Sequence, residues 1–401
     1  MKILWIDLNS SYAHSSLALP ALHAQLKDCS EYEWEMVSAT INENIGKIVD
    51  DICSHQPDIL AATCWLFNHE VLMHIVSRAK ALLPKTCVIL GGPEFLGENE
   101  TFLRKNPFVD CVFRGEGELE FPKWLASWNQ PEQWKGIIGL CYLDRKNHYQ
   151  DNGLARVLKF DQLAIPEESC FFNWSKPFVQ LETTRGCFNT CAFCVSGGEK
   201  PVRVLSIDAI RKRLQIIHSH GIPNVRVLDR TFNFHPRQAI GLMHLFAEFH
   251  PHLRFHLEIH PALLPQSVRD VLATLPDGLL HLEAGIQSLR QEVLDMSRRK
   301  GTLEQALDGL RFLCSLPNLV THADLIAGLP LYTLAQIYED VRTLANYQAG
   351  EIQLESLKLL PGTLMRRDAE KLGIRYSPLP PYEVLETASI TSAQLQEARR
   401  L

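Results

Sequence analysis

The stretch Arg185-Gly186-Cys187-Phe188-Asn189-Thr190-Cys191-Ala192-Phe193-Cys194 sets three cysteines in CxxxCxxC spacing and stops one ligand short of four. An iron–sulfur cluster is held by cysteine thiolates, four in the usual case, so a tight trio predicts a coordination position kept for something else. A structural zinc would want a second ligand pair, and the next cysteine, Cys314, stands alone. Disulfides do not suit a chain without secretory features. Cys187, Cys191 and Cys194 are therefore the candidate metal ligands, with a zinc-stapled α/β protein as the bland alternative.

Downstream and upstream of the trio the periodicity is that of an α/β protein. From Phe178 onward strand, loop and helix repeat about six times, the pattern of a partial (β/α) barrel. Strands are predicted at 178–183, 224–228, 254–259, 279–284, 320–326 and 351–357. The trio follows the first of them and so falls at the carboxyl-end mouth, where barrel active sites are built.

The first 145 residues alternate short apolar strands, at 2–6, 34–37, 59–63, 86–90 and 111–113, with helical stretches at 44–55 and 70–83. That alternation predicts a doubly wound parallel sheet, whose ligands bind beyond the carboxyl ends of the strands. The loops there are 9–17, 63–68, 91–94 and 114–118. Residues 146–176 read as a hairpin and linker, 177–370 as the barrel, and 371–401 as a C-terminal extension with a helix from Tyr382 to the last residue.

At 401 residues the chain has room for two domains, and its 46% hydrophobic and 21% charged content is that of a globular protein. A net charge of −6 gives no field to attract polyanions, so nucleic acid is not the default partner. The run Arg298-Arg299-Lys300 reads as a solvated helix end. Met1-Lys2-Ile3-Leu4-Trp5-Ile6-Asp7 reads as a buried strand rather than a signal peptide. No segment approaches the roughly 20 apolar residues needed to span a bilayer. Eleven cysteines, mostly single, suit a reducing cytoplasm.

With its aromatic before the last cysteine, the CxxxCxxC stretch resembles the radical SAM superfamily. The resemblance covers about residues 1–385 and is nearest to a bacterial group of cobalamin-domain radical SAM proteins. It implies that Cys187, Cys191 and Cys194 hold a 4Fe-4S cluster, that S-adenosylmethionine fills the open site, and that Phe193 lies by its adenine. Gly197-Gly198-Glu199 spells the family's amine-holding motif, which belongs after the second strand. Leu228-Asp229-Arg230 stands there instead, so the amine-facing role passes to Asp229 and Arg230, through backbone or side chain. Glu258 ends the third strand, and Glu283-Ala284-Gly285-Ile286-Gln287-Ser288 resembles the ribose-contacting Glu-x-Gly-x-Gln-Ser, adding Glu283, Gln287 and Ser288. A carboxylate there can accept hydrogen bonds from both ribose hydroxyls. The segment 324–330 resembles the apolar Gly-x-Pro stretch beside the adenine and contributes Ile326 and Gly328.

The N-terminal loops resemble the cobalamin-binding domain that precedes many such barrels. Thr63 after the third strand and Gly91 and Gly92 after the fourth match its tail channel, with Trp65 and Glu116 completing the expected pocket. Glycine suits that place because no Cβ blocks a ligand's approach. Domains that ligate cobalt from below use Asp-x-His-x-x-Gly, whereas this chain has Tyr12-Ala13-His14-Ser15-Ser16-Leu17. His14 lacks that orienting acceptor, which leaves cobalt ligation and a plain loop role both open.

The implied fold is a Rossmann-like cobalamin-binding domain followed by a partial (β/α)6 TIM-type radical SAM barrel. The implied activity is cleavage of S-adenosylmethionine to a 5′-deoxyadenosyl radical, fed by a reductant such as flavodoxin or ferredoxin, and methylation of an unactivated carbon of an unidentified small-molecule or other substrate. Non-methylating radical chemistry and a non-catalytic cluster or corrinoid carrier are the alternatives. Asp229-Arg230 favours the carrier, and the Glu-x-Gly-x-Gln-Ser segment speaks against it. No catalytic residue is assigned, and the resemblance implies a C-terminal region shorter than in relatives.

Overall fold

The computed structural model describes residues 1–401, as two compact units, Met1–Lys176 and Pro177–Leu401. In the first, β1 (Lys2–Asn9), β2 (Glu33–Thr40), β3 (Ile59–Thr63), β4 (Cys87–Gly91), β5 (Cys111–Phe113), β6 (Leu140–Leu143) and β7 (Tyr149–Asp151) form one sheet in the order β2-β1-β3-β4-β5-β6-β7. Strands β1 to β5 run parallel. β3, Ile-Leu-Ala-Ala-Thr, is buried throughout, as a central parallel strand covered on both faces must be. Alternate residues feed two cores: Leu4, Ile6, Leu60 and Leu90 pack with the helices Ile45–His55 and His69–Leu82, while Ile3, Trp5, Ala61 and Ile89 face Phe121 and Trp124. The hairpin β6–β7 extends this sheet antiparallel to β5, because Cys141 enters one core and Leu140 and Tyr142 the other. Strand order reverses between β1 and β3, the switch point at which such sheets bind ligands.

In the second unit β8 (Val179–Leu181) is followed by a two-stranded antiparallel pair, β9 (Thr184–Arg185) and β10 (Arg203–Val204). Then come β11 (Asn224–Val227), β12 (Arg254–Ile259), β13 (Leu280–Gln287), β14 (Val320–Ala327) and β15 (Glu351–Ser356). Strands β8 and β11 to β15 pair parallel in the order β15-β14-β13-β12-β11-β8, a partial (β/α)6 barrel. Burial alternates residue by residue along β13: Leu280, Leu282, Ala284 and Ile286 are buried, while His281, Glu283, Gly285 and Gln287 are half-buried on the inner face.

At the C-terminus the expected helix from Tyr382 is cut short. Tyr382 has a φ of 58°, and the antiparallel pair β16 (Arg375–Tyr376) and β17 (Val384–Glu386) takes its place. The helix is confined to Ser392–Ala398, started by a capping box between Thr391 and Gln394. Its Leu395 and Ala398 join a core with Ala327, Leu329 and Leu357. No helix is long and apolar enough to cross a membrane.

Candidate functional site

The cysteine loop leaves the carboxyl end of β8 and is closed by its own backbone. Cys187 N–H donates to Glu199 O at 3.0 Å, Gly198 N–H to Asn189 O at 2.7 Å, and Gly197 N–H to Cys194 O at 3.0 Å. Gly197 has no room for a side chain, since a Cβ would lie 2.3 Å from Cys191 O. Glu199 in turn binds Arg203 at 2.8 Å. The Gly-Gly-Glu that mimics an amine-holding motif is thus the clasp of the cysteine loop.

A second wall comes from the segment after the helix Gln291–Met296. Ser297 O accepts from Ala192 N–H at 2.8 Å, Asn189 Oδ1 from Lys300 N–H at 3.0 Å, and Arg298 O from Thr190 Oγ1 at 3.0 Å. Arg299 Nη1 lies 3.7 Å from Cys191 Sγ, and its Nη2 binds the Gly285 carbonyl. The basic run is therefore no solvated helix end: Arg298 and Lys300 are exposed, but Arg299 is half-buried against the sulfur. Burial holds the Cys191 and Cys194 thiols above their ordinary range, and Arg299 and Arg230 respectively pull against that rise.

On the inner face Glu258 of β12 sits directly across from Glu283 of β13. His256 Nε2 lies 2.9 Å from Glu283 Oε2 and holds that carboxyl below the usual range. Burial raises Glu258, against the pull of Arg230. Asp324 of β14 is pushed up to about 8 by burial and by the neighbouring carboxylates Glu283 and Glu258. Phe193 and Ile326 both border the core that contains Ala192 and Leu329. Gly328 is buried in the same region with a φ of 91°.

In the first unit the switch-point loops are tied by Asn68, only 1% exposed, whose Nδ2 donates to Leu8 O at 3.0 Å and Thr63 O at 3.1 Å while its Oδ1 accepts from Trp65 N–H at 2.8 Å. Gly92 has a φ of 109°, and a Cβ there would meet Cys64 O at 2.6 Å and Thr63 Cγ2 at 2.8 Å, so only glycine fits. Gly91 is half-buried beside it. Trp65 and Phe67 stack at 6.3 Å with 10° between their planes. His14 Nδ1 lies 2.8 Å from Ser11 Oγ, a hydroxyl in the place where an orienting aspartate was missed.

These two sites can be set beside known proteins. The Radical SAM superfamily pattern matches residues 181–344 and the B12 binding domain pattern matches residues 5–125. The chain thus carries a B12-binding domain followed by a radical SAM domain. It is 24% identical over 352 residues to the cobalamin-dependent radical SAM methyltransferase TokK of Streptomyces tokunonensis, covering 82% of this chain and 51% of that one. It is also 24% identical to the uncharacterised methyltransferase PH0819 of Pyrococcus horikoshii, over 89% of this chain and 79% of that one. The fold is similar to the structure of the radical SAM methyltransferase TsrM from Kitasatospora setae with cobalamin and a 4Fe-4S cluster bound. The TM-score is 0.78 at 15% identity, over 99% of this chain and 90% of that one. This chain thus spans about half the length of TokK.

The radical SAM residues fit a cluster better than a single ion. No three Cys, His, Asp or Glu side chains gather closely enough to enclose one metal ion. A loop offering three thiolates suits an iron–sulfur cluster, which cysteine thiolates hold, and leaves a tetrahedral zinc one ligand short.

Three expected contacts are corrected in their side-chain form by side-chain direction. Asp229, 1% exposed, turns inward and accepts from Thr183 and Thr184 N–H, both at 2.8 Å, and from the Thr183 hydroxyl. It is in phase with Val225 and Val227, which are buried, whereas Arg226 and Arg230 alternate to the exposed side. Ser288, fully buried, follows Ala284 and Ile286 in the same way and sits by Asp340, which also receives Leu289 N–H at 2.8 Å. Gln287, out of phase with them, stays on the inner face with its amide folded over Gly285. Glu116 is engaged by Val157 N–H at 2.8 Å and so anchors the returning segment. Two residues escaped the sequence reading, Arg299 and Asn68. Period-2 phase could have excluded the side chains of Asp229 and Ser288, but nothing local marks Arg299 as facing a sulfur.

Proposed function

We propose that this protein is a cobalamin-dependent radical SAM enzyme that methylates an unactivated carbon of a small-molecule substrate. The observation that carries the reading is the backbone-closed loop presenting three free cysteines at the carboxyl end of the first barrel strand, within a stretch matching the radical SAM pattern. Cys187, Cys191 and Cys194 would hold the cluster. When bound, the reduced cluster supplies the electron that cleaves S-adenosylmethionine to methionine and a 5′-deoxyadenosyl radical, and cobalamin supplies the methyl group.

The chain's own part is to bind and orient. Glu283, kept ionised by His256, accepts from the ribose hydroxyls, with Glu258 and Gln287 on the same inner face. Phe193, Ile326 and Gly328 border the adenine, and Arg230, which reaches solvent near Cys194 and Glu258, faces the methionyl end. In the first unit Thr63, Gly91 and Gly92 line the cobalamin tail channel, and the Trp65–Phe67 stack gives it an apolar wall. His14, oriented by Ser11, is the residue for the lower cobalt face. A flavodoxin- or ferredoxin-like reductant in the cytoplasm completes the reading, and no role for nucleic acid is included.

Anaerobic reconstitution tests it. The protein should show cluster and corrinoid absorption together and release labelled 5′-deoxyadenosine from S-adenosylmethionine with a reductant. Protein that retains both cofactors yet releases none is a carrier and not an enzyme.

A further inference from the structure

An electron bound for a cluster on Cys187, Cys191 and Cys194 has to cross the wall that holds the cysteine loop. Two segments grip that loop next to Cys191. Ser297 O accepts from Ala192 N–H at 2.8 Å, and Met365 N–H donates to Ala192 O at 2.8 Å. Residues 296–300 and 364–375, which carry these contacts, hold seven basic side chains against two acidic ones, in a chain whose net charge is −6. The local sign is thus the reverse of the whole chain's.

Most of that charge faces water. Arg298 and Lys300 are exposed, and the side chains of Arg367 and Lys371 are 66% and 84% exposed. Arg367 and Lys371 reach Asp368 at 3.3 and 3.9 Å, and Arg367 above all, with Lys371 and Arg298, holds its carboxyl below the usual range. Cations from both segments therefore share one neighbourhood and outnumber the carboxylate between them. Asp295, just before them in the chain, is engaged by Gln291 Nε2 at 2.8 Å. Lys300 Nζ lies 6.0 Å from the centroid of Phe188, the residue after Cys187. Met296, beside Ser297, is 41% exposed and adds an apolar point to this basic surface. Interfaces set apolar contacts within a polar rim, and complementary charge there speeds encounter and selects the partner.

We propose that this surface is where the reductant docks, and that the reductant is a small acidic one-electron carrier protein whose carboxylates meet Arg298, Lys300, Arg367 and Lys371. The carrier gives one electron to the cluster and leaves oxidised. From Met296 the route runs through the Ser297 carbonyl, across its hydrogen bond to the Ala192 amide, and so to Cys191. Such encounters bury little area and depend on charge for their rate, which suits a compact basic patch with one apolar point. The inference rests on reading this unit as a cluster-bearing barrel that cleaves S-adenosylmethionine, and it assigns the surface through which that chemistry is fed.

The test uses the reconstituted holoenzyme with reduced flavodoxin as the acidic donor and photoreduced 5-deazariboflavin as an uncharged one. Arg298→Asp, Arg367→Glu and Lys371→Glu are combined; aspartate is chosen at 298 because it tolerates the left-handed backbone there, where φ is 55°. In stopped-flow absorption, flavodoxin should reduce the variant's cluster more slowly by about tenfold or more at ~0.05 M salt, and the gap should close at ~1 M, where the screening length is ~3 Å. Oxidised flavodoxin, which has no electron to give, should bind the variant about tenfold more weakly by calorimetry. Iron content and reduction by deazariboflavin should be unchanged. Lys85→Glu, Lys105→Glu and Lys146→Glu together, at exposed positions of the first unit, change the net charge equally and should leave the flavodoxin rate near normal. An equal loss in that remote variant, no loss in the patch variant, or equal slowing with both donors at full iron overturns the proposal. So does a patch variant that keeps the flavodoxin rate but loses binding of bulk transfer RNA, since the surface would then serve nucleic acid. A cluster reduced at normal rates that releases no 5′-deoxyadenosine would instead sink the radical reading, while the flavodoxin rates still decide the docking surface.

Discussion

Replacing Arg299 by glutamine removes a positive charge 3.7 Å from Cys191 Sγ while keeping most of the side chain's length. Two unit charges about 6 Å apart interact by roughly 3 kcal/mol at an effective dielectric constant of about 20. The electron that reduces a cluster is shared among several irons, so about 2 kcal/mol of that attraction bears on reduction. For a one-electron couple this is on the order of 100 mV, and the sign is fixed because a nearby cation stabilises the more negative, reduced state. Arg299→Gln should thus lower the midpoint potential by about 100 mV, and Arg299→Lys by much less. The assay is an anaerobic redox titration followed by electron paramagnetic resonance, with iron content measured on the same samples. A glutamine variant with full iron and a midpoint unchanged or raised would refute the assignment of Arg299 as a cation acting on the cluster.

Three further outcomes follow from the geometry. Cys191→Ala should lose the cluster, read as bound iron and as absorption, and an unchanged iron content would remove the site. Gly92→Ala puts a Cβ against Cys64 O in a left-handed backbone; it should cost about 2–3 kcal/mol, lowering the melting temperature of the first unit and weakening cobalamin retention. Asp229 keeps its proton up to about 6 in the folded chain against 3.8 as the ordinary value. Between those values the folded state binds more protons than the unfolded one, so the group's contribution to stability falls as pH rises from 4 to 6, by up to about 3 kcal/mol. Calorimetric melting of Asp229→Asn should gain on the unaltered protein across that range, and a constant difference between them would be the contrary result.

Strands were legible wherever burial has a simple period. The all-buried Ile59–Thr63 and the alternating Leu280–Gln287 could be placed from residue types alone, and so could the cysteine loop at the end of β8. What was not legible is direction at strand ends. Asp229 and Ser288 look like ligand-facing polar residues, yet each sits in phase with a run of core positions and is occupied by neighbouring backbone or by Asp340. The C-terminal helix was overextended because Tyr382 to Ala388 has no strong breaker after Pro381, and its short pairing with Arg375–Tyr376 depends on contacts remote in sequence. Arg299 was missed for the same reason: its partners are a sulfur and a carbonyl 108 and 14 residues away.

The hydrogen bonds that clasp residues 187–199 have a kinetic meaning as well. A loop already folded into a ring behaves as a rigid tridentate chelator: losing one thiolate–iron bond leaves the other two sulfurs in position, and recapture is faster than escape. Damage by oxygen at the exposed corner of a cluster should then be repaired by adding back iron and sulfide, with no refolding of the chain.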